Sequence, residues 1–114
     1  MKRLASIISL SACAAACGGS TLPPANAANT QSSISAATAV GAEQNPQAAL
    51  HLKMARDQLT QAQGLIDSGK NNEARLVLER ADADAALAMI ITREAEASSG
   101  VKKTQTDVNA LQNH

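Results

Sequence analysis

The sequence contains no aromatic residue, since Phe, Tyr and Trp are absent from all 114 positions. Without aromatic rings the chain cannot stack nucleic-acid bases, cage a quaternary ammonium or build an aromatic sugar-binding platform. Basic charge is not in excess either, because ten Lys and Arg residues balance ten Asp and Glu residues. A nucleic-acid-binding domain would carry a strongly basic surface. We therefore expect no nucleic-acid partner, and no small-molecule substrate is evident.

The composition favours helices over strands. Strands prefer β-branched and aromatic residues, whereas this chain is rich in Ala, Gln, Leu, Glu and Arg, which favour helices. Alanine alone occupies 25 positions. The length suits one small domain, so the sequence predicts an all-α fold.

Cysteine is scarce, and both cysteines lie near the N-terminus. Lys2 and Arg3 form a short positive segment, and 13 uncharged residues follow from Leu4 to Ala16. This run fits the apolar region of a secretory signal and is too short to span a bilayer. It resembles a bacterial lipoprotein signal, in which the cysteine after a short Leu/Ala and small-residue run is acylated and becomes the mature N-terminus. We therefore expect residues 1–16 to be a lipoprotein signal peptide.

Two cysteines compete for the lipid. Cys13 follows Leu-Ser-Ala, which matches the lipoprotein pattern better, whereas Cys17 follows three alanines but leaves an apolar region of ordinary length. Cleavage before Cys13 would also leave Cys17 as a free thiol in an oxidising compartment. Cys17 is therefore the favoured lipidation site and Cys13 the alternative. An ordinary secreted protein with one leftover cysteine is a third interpretation.

Acylation would fix the location of the mature chain. Two or more fatty chains, such as palmitate, hold a protein on a membrane without spanning it. Gly18 follows the favoured cysteine and is not the aspartate that resembles an inner-membrane retention signal, so we expect the outer membrane, facing the periplasm. Loss of residues 1–16 leaves eight basic and ten acidic residues, which disfavours adhesion to anionic lipid. The covalent lipid is the only group expected; no cofactor or metal is.

The segment after the cysteine has low hydrophobicity and includes Pro23 and Pro24. Residues 17–32 are therefore predicted to be a flexible tether. A short helix is predicted from Ser33. Asn45 is a suitable N-cap for the next helix, because its side chain can accept from exposed backbone N–H groups and a proline follows it.

Two longer helices share one spacing of apolar residues. They are predicted over about 46–68 and 72–98, with Gly69 in the left-handed turn position and Asn71 or Asn72 as N-cap. Matching stripes joined by a short loop predict a coiled-coil-like antiparallel hairpin. The predicted seam consists of Ala48, Leu52, Ala55, Leu59, Ala62, Ile66, Ala74, Leu78, Ala81, Ala85 and Ala88. The hairpin domain is predicted over 33–98 and a C-terminal tail over 99–114, with a break near Gly100 and the conformation of the tail left open.

A second apolar stripe lies off the seam. Leu50 and Met54 are outside it on the first long helix, and the second long helix carries Leu76, Ala83, Leu87 and Ile90. One interpretation is that the first helix or the C-terminal tail covers these residues. The other is a docking face for a partner helix or a second copy.

Catalytic chemistry is not expected. His51 has no His or Glu three or four residues later and is interpreted as a partly solvated surface residue. Arg75 with Glu79 and Arg80 with Asp84 are read as stabilising i,i+4 pairs.

The order of these small residues resembles the bacterial lipoprotein domain called domain of unknown function 4398. In that family an Ala/Leu helical hairpin follows a lipoprotein signal, and some members carry a peptidoglycan-binding domain after it. This chain lacks such a domain and the aromatic residue often found near the turns, which disfavours wall attachment. The family has no agreed activity and therefore implies no functional residue. The resemblance rests on Gly41, Ala42, Pro46, Ala55, Leu59, Ala62, Gly69, Ala74, Leu78, Ala81, Asp84, Ala85, Leu87 and Ala88.

The expected function is that of a non-catalytic structural or adaptor module of the cell envelope. It would bind an envelope protein or a second copy through a helix face. One alternative is a self-assembling coiled-coil spacer between membrane and cell wall, similar to the small outer-membrane lipoproteins; those typically end in lysine, whereas this chain ends in His114. A small hydrolase is a second, disfavoured alternative.

Mass spectrometry of the mature N-terminus tests the lipid anchor. We expect a chain that begins at Cys17 and carries the mass of its acyl groups. An unmodified terminus, or cleavage elsewhere, would remove the lipoprotein interpretation.

Overall fold

The protein is built from three α-helices in the part that a computed structural model describes, residues 24–113. They are α1 (Pro24–Ala39), α2 (Pro46–Asp67) and α3 (Asn71–Gln112), with a 3₁₀ turn at Ala42–Gln44 between α1 and α2. No strand occurs in residues 24–113. Helices α2 and α3 form an antiparallel hairpin, and α1 packs against both. The predicted all-α hairpin with a third helix is confirmed.

The hairpin turn is a Schellman motif centred on Gly69. The N–H of Lys70 donates to Leu65 O (2.8 Å) and the N–H of Gly69 to Ile66 O (2.9 Å), which pairs carbonyls that the end of α2 would leave free. Gly69 has φ +74°, a conformation that a Cβ makes costly. The glycine therefore stops α2 and reverses the chain at the point that the sequence predicts.

The hairpin packs through alanine. Helices α2 and α3 meet along side chains that have almost no exposed surface, most of them alanine. Small side chains let two helix backbones approach to the short end of the usual 8–10 Å range. Of the predicted seam, Leu59 and Ile66 are half-buried. The structure buries the others: Ala48, Leu52, Ala55, Ala62, Ala74, Leu78, Ala81, Ala85 and Ala88.

Helix α1 begins at Pro24, nine residues before the predicted start at Ser33. The predicted tether over 17–32 therefore overlaps the helix, and its first residues, 17–23, lie outside the described part. The prediction relied on the absence of large apolar side chains. Thr30 is nevertheless fully buried, and Ala27 packs against the core at the turn end of the hairpin. Tertiary packing of small residues thus stabilises a helix that low hydrophobicity disfavours.

A tight corner joins α1 to α2. Gly41 adopts φ +83° at the end of α1, and the Asn45 side chain accepts from the N–H groups of Gln47 (3.0 Å) and Ala48 (3.1 Å) to cap α2. Arg56 of α2 reaches back to this corner. Its guanidinium donates to Thr38 Oγ1 (3.0 Å) and Glu43 Oε1 (2.7 Å), so α1 is held against the middle of α2.

Helix α3 does not break near Gly100, as the sequence predicts, but continues to Gln112. Hydroxyl groups on both sides of the glycine bond within the helix: Ser99 Oγ donates to Ala95 O and Thr104 Oγ1 to Gly100 O. One glycine in a helix interior costs about 1 kcal/mol relative to alanine, which is too little to end a helix flanked by good helix formers. The predicted tail is therefore mostly helical.

The start of α3 also differs from the prediction. Asn71 is the first helical residue and Lys70 the N-cap, without a side-chain cap hydrogen bond. Neither Asn71 nor Asn72 is the cap, because the Schellman turn places Lys70 directly before the first helical turn.

Two alanine substitutions near the end of α2 should have opposite effects on stability. Gly69→Ala should lower the free energy of unfolding by about 1–2 kcal/mol, because its φ is positive. Gly64→Ala, inside α2 with nothing within 4 Å of the added Cβ, should raise it by about 0.5–1 kcal/mol. Urea unfolding at fixed protein concentration, followed by far-UV circular dichroism, measures both. Equal effects would show that the turn does not depend on the left-handed glycine.

Candidate functional site

A polar bridge joins α2 and α3 halfway along the hairpin. His51 Nδ1 lies 2.9 Å from Asp84 Oδ1, and Gln58 Nε2 donates to Asp84 Oδ2 at 2.8 Å. Because a carboxylate oxygen only accepts, the imidazole proton of this pair lies on Nδ1. The side chains of His51 and Asp84 are 22% and 16% exposed. Both oxygens of one carboxylate therefore receive donors from the facing helix.

This bridge was not visible in the sequence. His51 was interpreted as a surface residue and Asp84 as the i,i+4 partner of Arg80. Asp84 instead faces α2, and in residues 24–113 the Arg80–Asp84 pair does not form, whereas Arg75 and Glu79 pair at 2.5 Å. The signal in the sequence is the seven-residue spacing of His51 and Gln58, which places them on one edge of α2, but that spacing cannot identify a partner on another helix.

The bridge positions the two long helices and leaves no open coordination site. Within the described chain no group of three or more His, Cys, Asp or Glu side chains could hold a metal ion. The two oxygens of Asp84 are both engaged by α2, so the bridge fixes how α3 is rotated and placed along α2.

The face of the hairpin opposite α1 is apolar and uncovered. On α3 the side chains of Leu76, Leu87 and Ile90 are 48%, 39% and 59% exposed, and Ala83 is exposed as well. These are the four residues that the sequence analysis singled out as a docking face. We call this surface the outer face. It is defined by Leu76, Ala83, Leu87 and Ile90 of α3 and Leu50 and Met54 of α2.

Helix α2 contributes to the same side of the hairpin. Leu50 precedes His51 by one residue and Met54 follows it by three, so both lie beside His51 on the edge away from the seam. On α3, Leu87 lies beside Asp84 in the same sense. Because His51 and Asp84 touch, the two apolar sets flank the bridge on one face. Leu50 and Met54 are 57% and 39% exposed.

The interpretation that α1 or the tail covers these residues is wrong. Helix α1 packs on the other side of the hairpin, where Ile34, Ala37 and Ala42 share a core with Ala85 and Ala88. The residues beyond Gly100 continue straight along α3 and cannot fold back. The outer face is thus free of contacts from its own chain.

The apolar stripe also continues past the hairpin. Val101, Val108 and Leu111 are 70%, 41% and 78% exposed and keep the 3-4 spacing of Leu87 and Ile90. Sequence reasoning noted their periodicity but not that they share one uninterrupted helix with the outer face. The break expected at Gly100 concealed that continuity.

An open groove lies at the other end of the hairpin, with a volume of about 470 Å³. The corner residues Val40 and Pro46 form one wall, and Thr92 and Ala95 of α3 form the other. Its only ionisable lining group is Glu96. The groove therefore lacks the converging polar groups that orient a small ligand.

The lipidation residues Cys17 and Cys13 lie outside the described residues. Between residues 24 and 113, no helix combines the length and apolar character required to cross a membrane.

Comparison with known families identifies one match. Residues 25–104 match the model of the family described as Domain of unknown function (DUF4398), over α2, most of α3 and nearly all of α1. No curated protein and no solved structure matches the chain. The family description names no activity, so the match assigns no residue a role.

Removal of the Asp84 carboxylate should destabilise the hairpin. Asp84→Ala leaves the half-buried donors of His51 and Gln58 without their acceptor and should lower the free energy of unfolding by about 1–3 kcal/mol. Urea unfolding measures the loss. The control Asp107→Ala, at an exposed position of the same helix, should change stability by less than about 0.5 kcal/mol. If the two variants lose equal stability, the bridge does not hold α2 and α3 together.

Proposed function

This chain belongs to the family described as Domain of unknown function (DUF4398), and we propose that it is a lipid-anchored, non-catalytic adaptor of the bacterial cell envelope. In this proposal the acylated N-terminus holds the chain on the outer membrane, facing the periplasm. The hairpin then presents the outer face to an amphipathic helix of an envelope partner. The lipidated residue is Cys17, with Cys13 as the alternative.

The outer face is the observation that carries the adaptor proposal. Exposed apolar residues scattered singly are ordinary on a soluble protein, whereas a continuous apolar stripe marks an interaction surface. Here the stripe lies on a helix whose other faces are either buried in the hairpin or polar. A helix that recognises another helix presents apolar side chains at 3-4 spacing, as Leu87 and Ile90 do.

The architecture suits presentation rather than chemistry. The hairpin is fastened by the turn at Gly69, the bridge at Asp84 and the Arg56 contacts with the corner. These contacts hold α3 rigidly along one side of the domain. A rigid helix loses little conformational entropy when it binds, because its side chains are already arranged.

A second candidate is a coiled-coil spacer between membrane and cell wall. The observation that favours it is the length of α3, whose 42 residues extend about 63 Å at 1.5 Å per residue. Its last third, beyond Gly100, is exposed throughout the residues described. A spacer would use that reach to separate two surfaces, and its stripe would hold several copies together.

Photo-cross-linking in living cells tests the adaptor proposal. A photoreactive amino acid at Leu87 or Ile90 of the full chain should form covalent products with a protein identified by mass spectrometry, because both side chains lie in the centre of the outer face. Placement at Ala36, which is exposed on α1 on the opposite side of the hairpin, should not form these products.

The pattern of products decides the outcome. Products that depend on position 87 or 90 and are absent at position 36 support the proposal. If neither position captures a protein, or if all three capture the same proteins, the outer face is not a docking surface.

A further inference from the structure

We propose that the helix that covers the outer face is α3 of a second copy of this chain, running antiparallel and centred between Leu87 and Ile90. This inference rests on the proposed function, because it identifies the partner of the same face. It follows from the distribution of charge and side-chain size along α3.

The stripe on α3 is longer than the outer face and fully regular. Beginning at Leu76, eleven positions follow one another at alternating steps of four and three residues, and all eleven are exposed. Two are charged and the others are apolar or Thr. Such a 3-4 repeat is the pattern of a coiled-coil interface. The positions are Leu76, Arg80, Ala83, Leu87, Ile90, Glu94, Ala97, Val101, Thr104, Val108 and Leu111.

The two charges on the stripe determine the direction of the second copy. Arg80 and Glu94 lie seven residues before and seven residues after Leu87. In a parallel pair in register, each would face its own counterpart, so Arg80 would meet Arg80 and Glu94 would meet Glu94. In an antiparallel pair Arg80 lies near Glu94 of the second copy, and the reverse contact repeats it. Opposite charges therefore meet only in the antiparallel arrangement.

The size of the side chains determines where the pair is centred. With the axis midway between residues 87 and 90, Leu87 lies opposite Ile90 of the second copy, and Leu76 lies opposite Val101. Large apolar side chains thus meet large ones.

The charged positions meet alanines in the same register. Arg80 lies opposite Ala97 of the second copy, and Ala83 lies opposite Glu94, so each long charged side chain has room. Along the axis Arg80 and Glu94 of the second copy are about 4.5 Å apart at 1.5 Å per residue. That offset is within the reach of their side chains, so the ion pair and the apolar layers form together.

The antiparallel pair also gives the projecting end of α3 a contact. From Leu76 to Val101 the two helices overlap over about 38 Å. Beyond the overlap, Val108 of one copy is level with the turn at Gly69 of the other, next to the half-buried Leu65 and Ile66. A 3-4 stripe on a straight helix rotates by about 20° per heptad, and a gentle left-handed supercoil keeps it in the interface. The interface is isologous, as in most homodimers.

Charge exchange tests the arrangement on the full chain purified from membranes in detergent. Arg80→Glu and Glu94→Arg should each weaken the dimer about tenfold in sedimentation equilibrium, because each creates two like-charge contacts. The double variant Arg80→Glu/Glu94→Arg should return the dissociation constant to within about threefold of the original value. Lys103→Glu, on the same helix but off the stripe, should leave it unchanged.

Single cysteines report the direction independently, with a short bismaleimide as the cross-linker. Leu87→Cys should cross-link to itself, whereas Leu76→Cys and Val101→Cys alone should not, since each is about 38 Å from its own counterpart. A mixture of Leu76→Cys and Val101→Cys chains should give the mixed dimer. The chain with no added cysteine measures any background from Cys13 and Cys17.

The results separate the two proposals. Recovery in the double charge variant together with the mixed 76–101 product supports the antiparallel dimer. A monomer at all concentrations, or self-cross-linking at Val101, overturns it. If position 87 or 90 captures a different protein in cells while the purified chain stays monomeric, the adaptor proposal stands and the dimer does not. If those positions capture nothing, both fail.

Discussion

The close packing of α2 against α3 through alanine is the interaction on which the rest of the structure depends. Alanine lets the backbones approach closely, but each buried methyl removes little apolar area from water. The large apolar side chains that would fill an ordinary core are few, and several of them lie outside the seam. The fold is therefore long and narrow, and its stability depends on helix propensity, on capping and on the polar contacts between helices.

The polar bridge complements the alanine seam. Alanines at regular spacing permit several relative positions of two helices, because neighbouring layers are nearly identical. His51 and Gln58 reach Asp84 from two successive turns of α2, and that geometry selects one position. The same contact fixes which side of α3 faces away from α2 and α1. The outer face thus results from the bridge as much as from the residues that form it.

The fold was largely predictable from sequence, and the reasons are local. The 3-4 spacing from Ala48 to Ile66 and from Ala74 to Ala88 predicts two helices, and Gly69 predicts the turn between them. The ends of the helices were less predictable. The extra turns at the start of α1 depend on burial of Thr30 against the hairpin, and the continuation of α3 depends on the small cost of one glycine at position 100. Neither effect appears in a pattern of apolar residues.

The candidate site divides along the same line. The sequence by itself determined that α3 carries two apolar stripes, because helical periodicity is a property of residue order. It also determined the chemistry of those stripes, including the absence of aromatic rings. Only the tertiary structure decided which stripe is buried, because that requires knowing which side of the hairpin α1 covers. It likewise brought Asp84 to His51 across 33 residues of chain, since a long-range polar contact depends on how the helices pack and not on the spacing within either one.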